Sequence, residues 1–251
     1  MSIPKKLKIL FENESVVVVD KPAGVSVFGS DYKHSEHKDL NSVDEYLLKN
    51  KKTKEYIIVH RLDKDTTGCL LVAKKKAAFE NLKQQFQNKQ VRKEYVAVVW
   101  GTMKFDTGII DGQIARSKSD FRKHEVVKNS LFGKVTRGTE REAVTRYRVV
   151  ERVEKFGEKM SLVKFYPETG RTHQIRVHAK SLGHPIVADH LYGPGGERAE
   201  KLEKKLFKVK TKAGAKNVRQ LLHAASVTFI DPETDSLVKI ESKLPKEFKL
   251  I

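Results

Sequence analysis

The sequence predicts an α+β protein built on a mixed sheet. Apolar runs rich in β-branched residues, which favour strands, recur along the whole chain. Segments with helical spacing lie between them at irregular intervals, whereas a parallel α/β fold would alternate the two regularly. With 251 residues, of which 39% are hydrophobic, the chain can bury one large core or two modest ones. We expect a single domain over residues 1–251, with surface insertions.

The predicted strands follow from composition. The segment SVVVVD at 15–20 is typical of a buried strand, and the turn sequence KPAG at 21–24 ends it. Further strands are predicted at 57–59, 70–73, 91–100, 143–150 and 161–166, and a final hairpin joins 225–230 to 237–240.

Apolar residues at helical spacing predict three helices. The first is short, near residues 43–48, and the second lies within 74–89. The third runs from about residue 175 to residue 182, where Gly183 and Pro185 end it.

The charge is large and uneven. Fifty Lys and Arg against 32 Asp and Glu give a net charge of +18, which attracts polyanions, most often nucleic acid and next an acidic membrane surface. Residues 114–148 contain ten Lys or Arg and four acids, and residues 197–219 contain nine and three. This locality favours a binding surface. A solvated helical face over 197–212, or a generally lysine-rich proteome, is the alternative.

The cysteine content and the lengths of the apolar runs indicate the compartment. Cys69 is the only cysteine, so the chain has neither an intramolecular disulfide nor a cysteine cluster for zinc, which fits a reducing compartment. The N-terminus lacks the apolar core of a secretory signal, and no apolar run is long enough to span a bilayer. We expect a cytoplasmic monomer without membrane association.

The charged stretch HRLDKD at 60–65 interrupts two apolar strands. Asp63 lies in this short connection, where a carboxylate near the interior takes up a proton unless a cation or hydrogen-bond donors keep it ionised. A catalytic nucleophile must likewise be accessible to substrate and charged at neutral pH. The alternative is structural, because DTTG at 65–68 is a favourable turn sequence that Asp63 would cap.

A second polar constellation is TGRTHQIRVH at 169–178. Arg171 and Arg176 lie around a glycine-led helix start, where unpaired backbone amides favour anions, so they could bind phosphate or supply the cation for Asp63. His173 and His178 are five residues apart with no Glu between them, and so miss the spacing of a zinc-binding helix. We predict no metal site.

Tyr95 is a third candidate. In KEYVAVVWG at 93–101 it shares one strand face with Ala97 and Val99. Such a tyrosine is either a core residue with its hydroxyl at the edge, or a phenol that stacks on a ring substrate or moves a proton.

Together, and in this order, these segments resemble the RluA-type pseudouridine synthases, which isomerise uridine in RNA to pseudouridine. HRLDKDTTGCLLVAK at 60–74 is similar to the family pattern HRLDxxTSGLLLxAK, and GRTHQIRVH at 170–178 matches its pattern completely. Shorter matches are VVDKPAGV, KEYVAVVWG, LGHPIVADHLYG and LLHAASVTF, so the resemblance covers roughly residues 9–245.

The resemblance implies roles for individual residues. It places the nucleophilic aspartate at Asp63, the tyrosine that packs against uracil and can take the C5 proton at Tyr95, and the basic partner of the aspartate at Arg176. That guanidinium would keep the carboxylate ionised. Arg61 corresponds to the arginine associated with the flipped-out uridine, and Ile175 to an apolar neighbour of the base. We expect other residues of the two motifs to bind substrate as well: His60, Leu62, Arg171, His173 and Gln174.

The resemblance also implies the architecture, a largely antiparallel central sheet with flanking helices and a catalytic cleft. Thr67 and Cys69 replace the usual Ser and Leu, and neither change removes a group that the chemistry needs. Because the pattern begins within the first twenty residues, we expect no N-terminal S4 RNA-binding module. Substrate binding would then depend on the catalytic domain and on basic insertions near 104–140 and 194–219.

The implied reaction breaks the C1′–N1 bond of a uridine extruded from rRNA or tRNA, turns the uracil and rejoins it through C5, without cofactor or metal. Whether Asp63 forms a C1′ ester, adds to C6 or deprotonates the sugar stays open. Two other interpretations remain. One is a non-catalytic RNA-binding or ribosome-assembly protein on the same fold, and the other is a metal-dependent phosphate-ester hydrolase.

Overall fold

The structure, a computed structural model, describes residues 7–29, 42–50, 56–127, 136–208 and 218–251. The strands are β1 (Lys8–Glu12), β2 (Val16–Lys21), β3 (Ile57–Ile58), β4 (Thr67–Ala73), β5 (Arg92–Trp100), β6 (Thr107–Ser117), β7 (His124–Val126), β8 (Thr136–Lys155), β9 (Glu158–Pro167), β10 (Leu222–Ile230) and β11 (Leu237–Glu241). The helices are α1 (Val43–Asn50), α2 (Lys76–Gln87), α3 (Gln174–Ser181) and α4 (Glu197–Leu206), followed by a 3-10 helix (Lys246–Leu250).

The chain divides into two compact units. The first contains residues 1–93 and 223–243, and the second contains residues 94–222 and 244–251. That all of these residues form one catalytic domain remains a prediction.

Strand β4 is the centre of the first unit. It pairs antiparallel with β2 and β3, and in parallel with the start of β10, where Ala224 lies opposite Gly68. All seven residues of β4 are buried, because it has neighbours along both edges and is covered on both faces. The β1–β2 and β10–β11 pairs are antiparallel, so the predicted strand at 15–20 and the predicted C-terminal hairpin are confirmed.

The core of the first unit lies between these strands and α2. Ala78 and Leu82 of α2 pack with Val16 and Val18 of β2 and Leu71 of β4. Burying each of these Val and Leu side chains contributes ~1.5–3 kcal/mol. The core therefore fixes β4, and with it the charged segment that leads into β4.

The second unit is an antiparallel arrangement of β5, β9, β8, β6 and β7, in that order. The sequence predicts only residues 143–150 of β8, whereas the strand runs from 136 to 155 and pairs with β6 and β9. The predicted insertion near 104–140 is therefore largely sheet. Its residues 128–135, and residues 209–217 of the second insertion, lie outside the described ranges.

The second unit contains α3, most of whose residues are buried, and α4, which is amphipathic. On α4, Ala199, Leu202 and Leu206 are buried, and charged residues make up the rest of the helix surface. This fits the interpretation of the segment as a solvated helical face. Helix α3 packs through Val177 against Ile114 of β6 and Ala143 of β8. The sheet face formed by β6 and β8 therefore positions α3.

The mixed, mostly antiparallel strand pattern with interspersed helices confirms the predicted α+β class. Among the described residues, none of the helices has the length and apolar character needed to cross a membrane.

Gly68 provides a test of this strand arrangement. Its φ is +107°, and a Cβ built on it would lie 2.1 Å from the carbonyl oxygen of Ala224. We expect Gly68→Ala to lower the free energy of unfolding by ~3 kcal/mol or more, because backbone strain and a backbone clash add. Urea denaturation measures the loss.

The matched control is Gly157→Ala in the β8–β9 turn. Gly157 has a φ of +80°, but nothing lies within 4 Å of a built Cβ, so only the strain of ~1 kcal/mol is expected. Equal losses for the two variants would contradict the close approach of β4 and β10.

Candidate active site

Asp63 begins a tight turn that leads into β4. The N–H of Thr66 donates to the carbonyl of Asp63 at 3.1 Å, which closes a β-turn over residues 63–66. The predicted turn at 65–68 was therefore two residues too late, because Thr67 and Gly68 already belong to β4. Leu62 and Thr66 are 5% and 2% exposed, whereas Asp63 between them is partly exposed. The turn thus presents Asp63 from a buried frame.

Lys21 connects this turn to the end of β2. Its side chain is fully buried, and Nζ donates to the carbonyls of Pro22 at 3.0 Å, Val25 at 2.8 Å and Lys64 at 2.8 Å. A buried amino group needs such acceptors. Since Lys64 follows Asp63 directly, the amino group fixes the backbone of the turn. This role of Lys21 is not among those predicted from the sequence, although a cation straight after VVVVD is a signal for it.

His60 holds the other side of the charged segment. Its Nε2 accepts the backbone N–H of Leu71 at 3.0 Å, and its ring centroid lies 5.2 Å from that of Phe86. Burial, together with the charge of Lys93, lowers the pKa of His60 to about 3, so the ring is neutral with its proton on Nδ1. Arg61 beside it is exposed.

The two departures from the family pattern lie in β4 and are accommodated. The hydroxyl of Thr67 lies 2.8 Å from Nδ1 of His223, and Nε2 of His223 lies 3.4 Å from the carbonyl of Ser242. Because a carbonyl can only accept, Nε2 carries the proton and Thr67 donates to Nδ1. Cys69 is 2% exposed, and burial raises the pKa of its thiol to about 12, so it stays protonated.

Tyr95 lies in the second unit, on β5. It is opposite Phe165 of β9 and 9% exposed. Ala97 and Val99, on the same strand face, are completely buried. The tyrosine ring therefore lies at the edge of a buried strand, which fits a core position with a hydroxyl at the boundary.

Arg176 on α3 forms a buried ion pair with Asp189. Nε donates to Oδ2 at 2.7 Å and Nη2 donates to Oδ1 at 2.8 Å, and the two side chains are 8% and 0% exposed. This two-bond arrangement fixes the plane of the guanidinium. Asp189 is not among the site residues predicted from the sequence, although an acid after the apolar run PIVA in LGHPIVADHLYG is a signal for it.

Asp189 and Tyr192 together hold the guanidinium. Oδ1 of Asp189 also accepts the backbone N–H groups of Leu191 and Tyr192, which fold this segment into a tight turn. The ring centroid of Tyr192 lies 5.0 Å from Cζ of Arg176, within the range of a cation–π contact. Arg176 is thus positioned by one carboxylate and one aromatic face.

Tyr192 also links α3 to β7. Its hydroxyl accepts the backbone N–H of His124 at 2.8 Å and lies 2.9 Å from Nδ1 of His173. The rings of His124 and His173 meet edge to face at 5.8 Å. His173 has a φ of 56°, so the residue that precedes α3 is held in an uncommon backbone conformation.

Both polar atoms of the Gln174 side-chain amide form hydrogen bonds within the protein. Oε1 accepts from the hydroxyl of Thr169 and the N–H of Arg171, and Nε2 donates to the carbonyl of Val144 and the hydroxyl of Thr145. These hydrogen bonds therefore attach the turn before α3 to β8. Of the other predicted substrate-binding residues in this segment, Arg171 donates through Nε to the carbonyl of Glu142 and Ile175 is 6% exposed.

His178 is a completely buried histidine on α3. Its Nδ1 lies 2.9 Å from the hydroxyl of Thr145, and its Nε2 has no hydrogen-bond partner among the residues that the structure describes. Burial lowers the pKa of His178 to about 4, although the charge of Asp111 acts in the opposite direction. The side chain is therefore neutral over the physiological range of pH.

Within the part of the chain that the structure describes, no group of three or more His, Cys, Asp or Glu side chains has the arrangement of a metal site. The expectation that the reaction needs no metal stays a prediction.

Residues 15–181 match the model of a family described as RNA pseudouridylate synthase. An uncharacterized RNA pseudouridine synthase of Synechocystis is 35% identical over 252 residues, covering 97% of this chain and 67% of that protein. Ribosomal large subunit pseudouridine synthase C of Pasteurella multocida is 34% identical over 244 residues, covering 97% of this chain and 66% of that protein.

The fold is similar to that of a solved human structure. The human RNA pseudouridylate synthase domain containing 4 protein superposes with a TM-score of 0.72 at 25% sequence identity, covering 97% of this chain and 90% of that chain. The similarity therefore extends over almost the entire length of both proteins.

Removing the charge of Asp189 should destabilise the second unit. We expect Asp189→Asn to lower the free energy of unfolding by ~3 kcal/mol, because Arg176 loses its buried counter-charge. The control is Asp106→Asn, whose carboxylate pairs with Arg152 but is 79% exposed, so its loss should stay below ~1 kcal/mol. Equal losses in chemical denaturation would contradict a special role of the buried pair.

His178 should make the free energy of unfolding depend on pH. The unfolded chain has an ordinary histidine pKa of about 6.5, whereas the folded value is about 4, so protons bind first to the unfolded state. The contribution of His178 is present above about pH 6.5 and is lost as pH falls to about 4, a change of ~3 kcal/mol.

Urea denaturation across this pH range measures the effect. His178→Gln should show a shallower fall of stability, and His190→Gln, which removes an exposed histidine, should retain the wild-type slope. An unchanged slope in His178→Gln would contradict the assignment.

Proposed function

The chain belongs to the RNA pseudouridylate synthase family, and from this we propose that it isomerises specific uridines of ribosomal RNA with Asp63 as the catalytic carboxylate. As a member of that family the protein is an RNA pseudouridine synthase, an isomerase. The choice of ribosomal RNA, rather than transfer RNA, is supported by relatives named for the large ribosomal subunit. A cytoplasmic location is part of the same proposal.

The observation that carries the role of Asp63 is the frame around its turn. The backbone is held by the Lys21 amino group on one side and by buried Leu62 and Thr66 on the other. A nucleophile held in this way loses little freedom when it reacts, since its position is fixed before substrate binds. Partial exposure leaves the carboxylate accessible.

Arg176 and Tyr95 complete the proposed catalytic set. We assign Arg176 as the cation that keeps the Asp63 carboxylate ionised, and its orientation by Asp189 supports a fixed electrostatic role. Tyr95 is assigned to the uracil, where its ring packs against the base and its hydroxyl can receive the C5 proton.

The proposed reaction is redox neutral. Asp63 acts at the sugar or the base so that the C1′–N1 bond breaks, the uracil turns, and a C1′–C5 bond forms. One proton leaves C5 and one joins N1, so a proton acceptor such as Tyr95 is needed but no external reductant or group donor. Arg61, exposed beside Asp63, is assigned to the gap that the extruded uridine leaves in the RNA. The other predicted substrate contacts are His60, Leu62, Arg171, His173, Gln174 and Ile175.

The mutation that tests the catalytic assignment is Asp63→Asn. We expect the rate of pseudouridine formation to fall by about 10³-fold or more, because the amide cannot act as the carboxylate does. RNA affinity should change little, since the basic surface is intact. The matched control is Asp65→Asn in the same turn, which should retain most activity.

The substrate is total RNA from cells that lack the protein, with pseudouridines mapped before and after incubation. New pseudouridine in ribosomal RNA supports the full proposal, and new pseudouridine in transfer RNA alone overturns the substrate assignment. RNA binding without any new pseudouridine favours the non-catalytic RNA-binding alternative. Retained turnover in Asp63→Asn would overturn the catalytic role of that residue.

A further inference from the structure

A basic cavity of about 490 Å³ lies in the second unit. Its lining contains Arg116 of β6, His124 of β7, Arg137 and Arg141 of β8, and Arg171 in the turn before α3, and among the described residues no acid lines it. The volume lies within the range of ligand-binding pockets. Four arginines around one cavity make it strongly electropositive.

The sheet register brings like charges side by side in this cavity. Arg116 lies directly between two cross-strand partners, His124 of β7 on one edge and Arg137 of β8 on the other. Directly opposite residues project to the same face, where like charges destabilise a sheet. Because Arg116 and Arg137 are exposed, the cost is small, but their placement adds nothing to the stability of the sheet.

These arginines also lack the ion pairs that other arginines form. Among the described residues, no acidic side chain pairs with Arg116, Arg137 or Arg141. By contrast, Arg122 of the same insertion binds Asp120 through two nitrogens. The three guanidinium groups in the cavity thus keep their donors available for a ligand.

The cavity adjoins the segment that carries Arg176. Gly170, Arg171 and Thr172 form part of its wall, and the N–H of Arg171 is fixed by Gln174 at the start of α3. On β8, Arg137 and Arg141 lie on the same strand face as buried Ala143, and Ala143 packs with Val177 of α3. An anion in the cavity is therefore held next to the beginning of the helix that positions the proposed catalytic cation.

We infer that this cavity binds the phosphate backbone of the RNA substrate close to the target uridine. Lysine is the commoner cation of the chain, yet the cavity is lined by four arginines and no lysine. The planar fork of arginine suits two-bond contacts to phosphate oxygens. The ligand class is thus a phosphodiester of RNA. The inference rests on the proposed function and adds a binding site to it.

The test replaces the three unpaired arginines by glutamine, singly and together. Arg122→Gln is the matched control, because it removes an arginine of the same insertion that is already paired with Asp120. Initial rates of pseudouridine formation are measured over a range of RNA and salt concentrations, and binding of a short substrate RNA is measured by fluorescence anisotropy.

We expect KM to rise about tenfold for each single variant, as for loss of one charge-assisted contact, while kcat changes less than about twofold. The slope of log affinity against log salt should fall by about 0.7–0.9 for each arginine removed. The triple variant should be at least as resistant to thermal unfolding as wild type, because like charges have been removed.

The outcomes separate this inference from the proposed function. Wild-type activity with an unchanged KM and salt slope in the triple variant overturns the phosphate site only, as does a fall in kcat at constant KM. An equal effect of Arg122→Gln would show that net charge, and not this cavity, governs binding. Inactive wild-type protein with RNA binding that depends on the three arginines overturns the proposed function but supports the site.

Discussion

The amino group of Lys21 is the constraint on which the geometry around Asp63 depends. It is buried and takes its acceptors from three separate backbone carbonyls, one of them inside the Asp63 turn. Removing the amino group would take a donor away from each of these carbonyls, and Val25 among them is buried. The end of β2 and the start of β4 are therefore held together by one polar centre, in addition to the strand pairing and the apolar core.

The second unit also contains a buried cation, but a carboxylate satisfies it where backbone carbonyls satisfy Lys21. Arg176 is buried and satisfied by the carboxylate of Asp189, which in turn is satisfied by backbone N–H groups of its own turn. A buried pair of this kind adds little net stability over apolar residues, but breaking it is costly. What it provides is orientation, since a two-bond pair with an aromatic face beside it leaves the guanidinium one arrangement. In both units, buried charge specifies position where apolar packing alone would not.

Much of this could be predicted from the sequence, and the remainder has physical reasons. Strands such as β2 and the β10–β11 hairpin are visible because β-branched runs and turn residues act locally. The insertion strand β6 is missed because it is half-exposed, and the extension of β8 because it is exposed and rich in charged residues. The stability of both comes from pairing with each other. The roles of Lys21 and Asp189 depend on acceptors and donors brought together by the fold, which no local pattern encodes. Gln174 and His60 lie in motif positions that indicate substrate contact, yet the structure gives both of them internal hydrogen bonds.

Net charge alone therefore says little about where RNA would bind. Many of the basic residues are neutralised locally, as Arg146 is by Glu168 and Arg198 by Glu158, and such exposed pairs contribute only ~0–1 kcal/mol to stability. The informative residues are those whose charge opposes folding and remains unpaired, because folding gives no reason for their placement. Arg116 and Arg137 meet this condition on adjacent strands. These cations lie beside the turn that starts α3, where the fold does not favour them. An anionic ligand that contacts both the sheet and the helix best explains this placement.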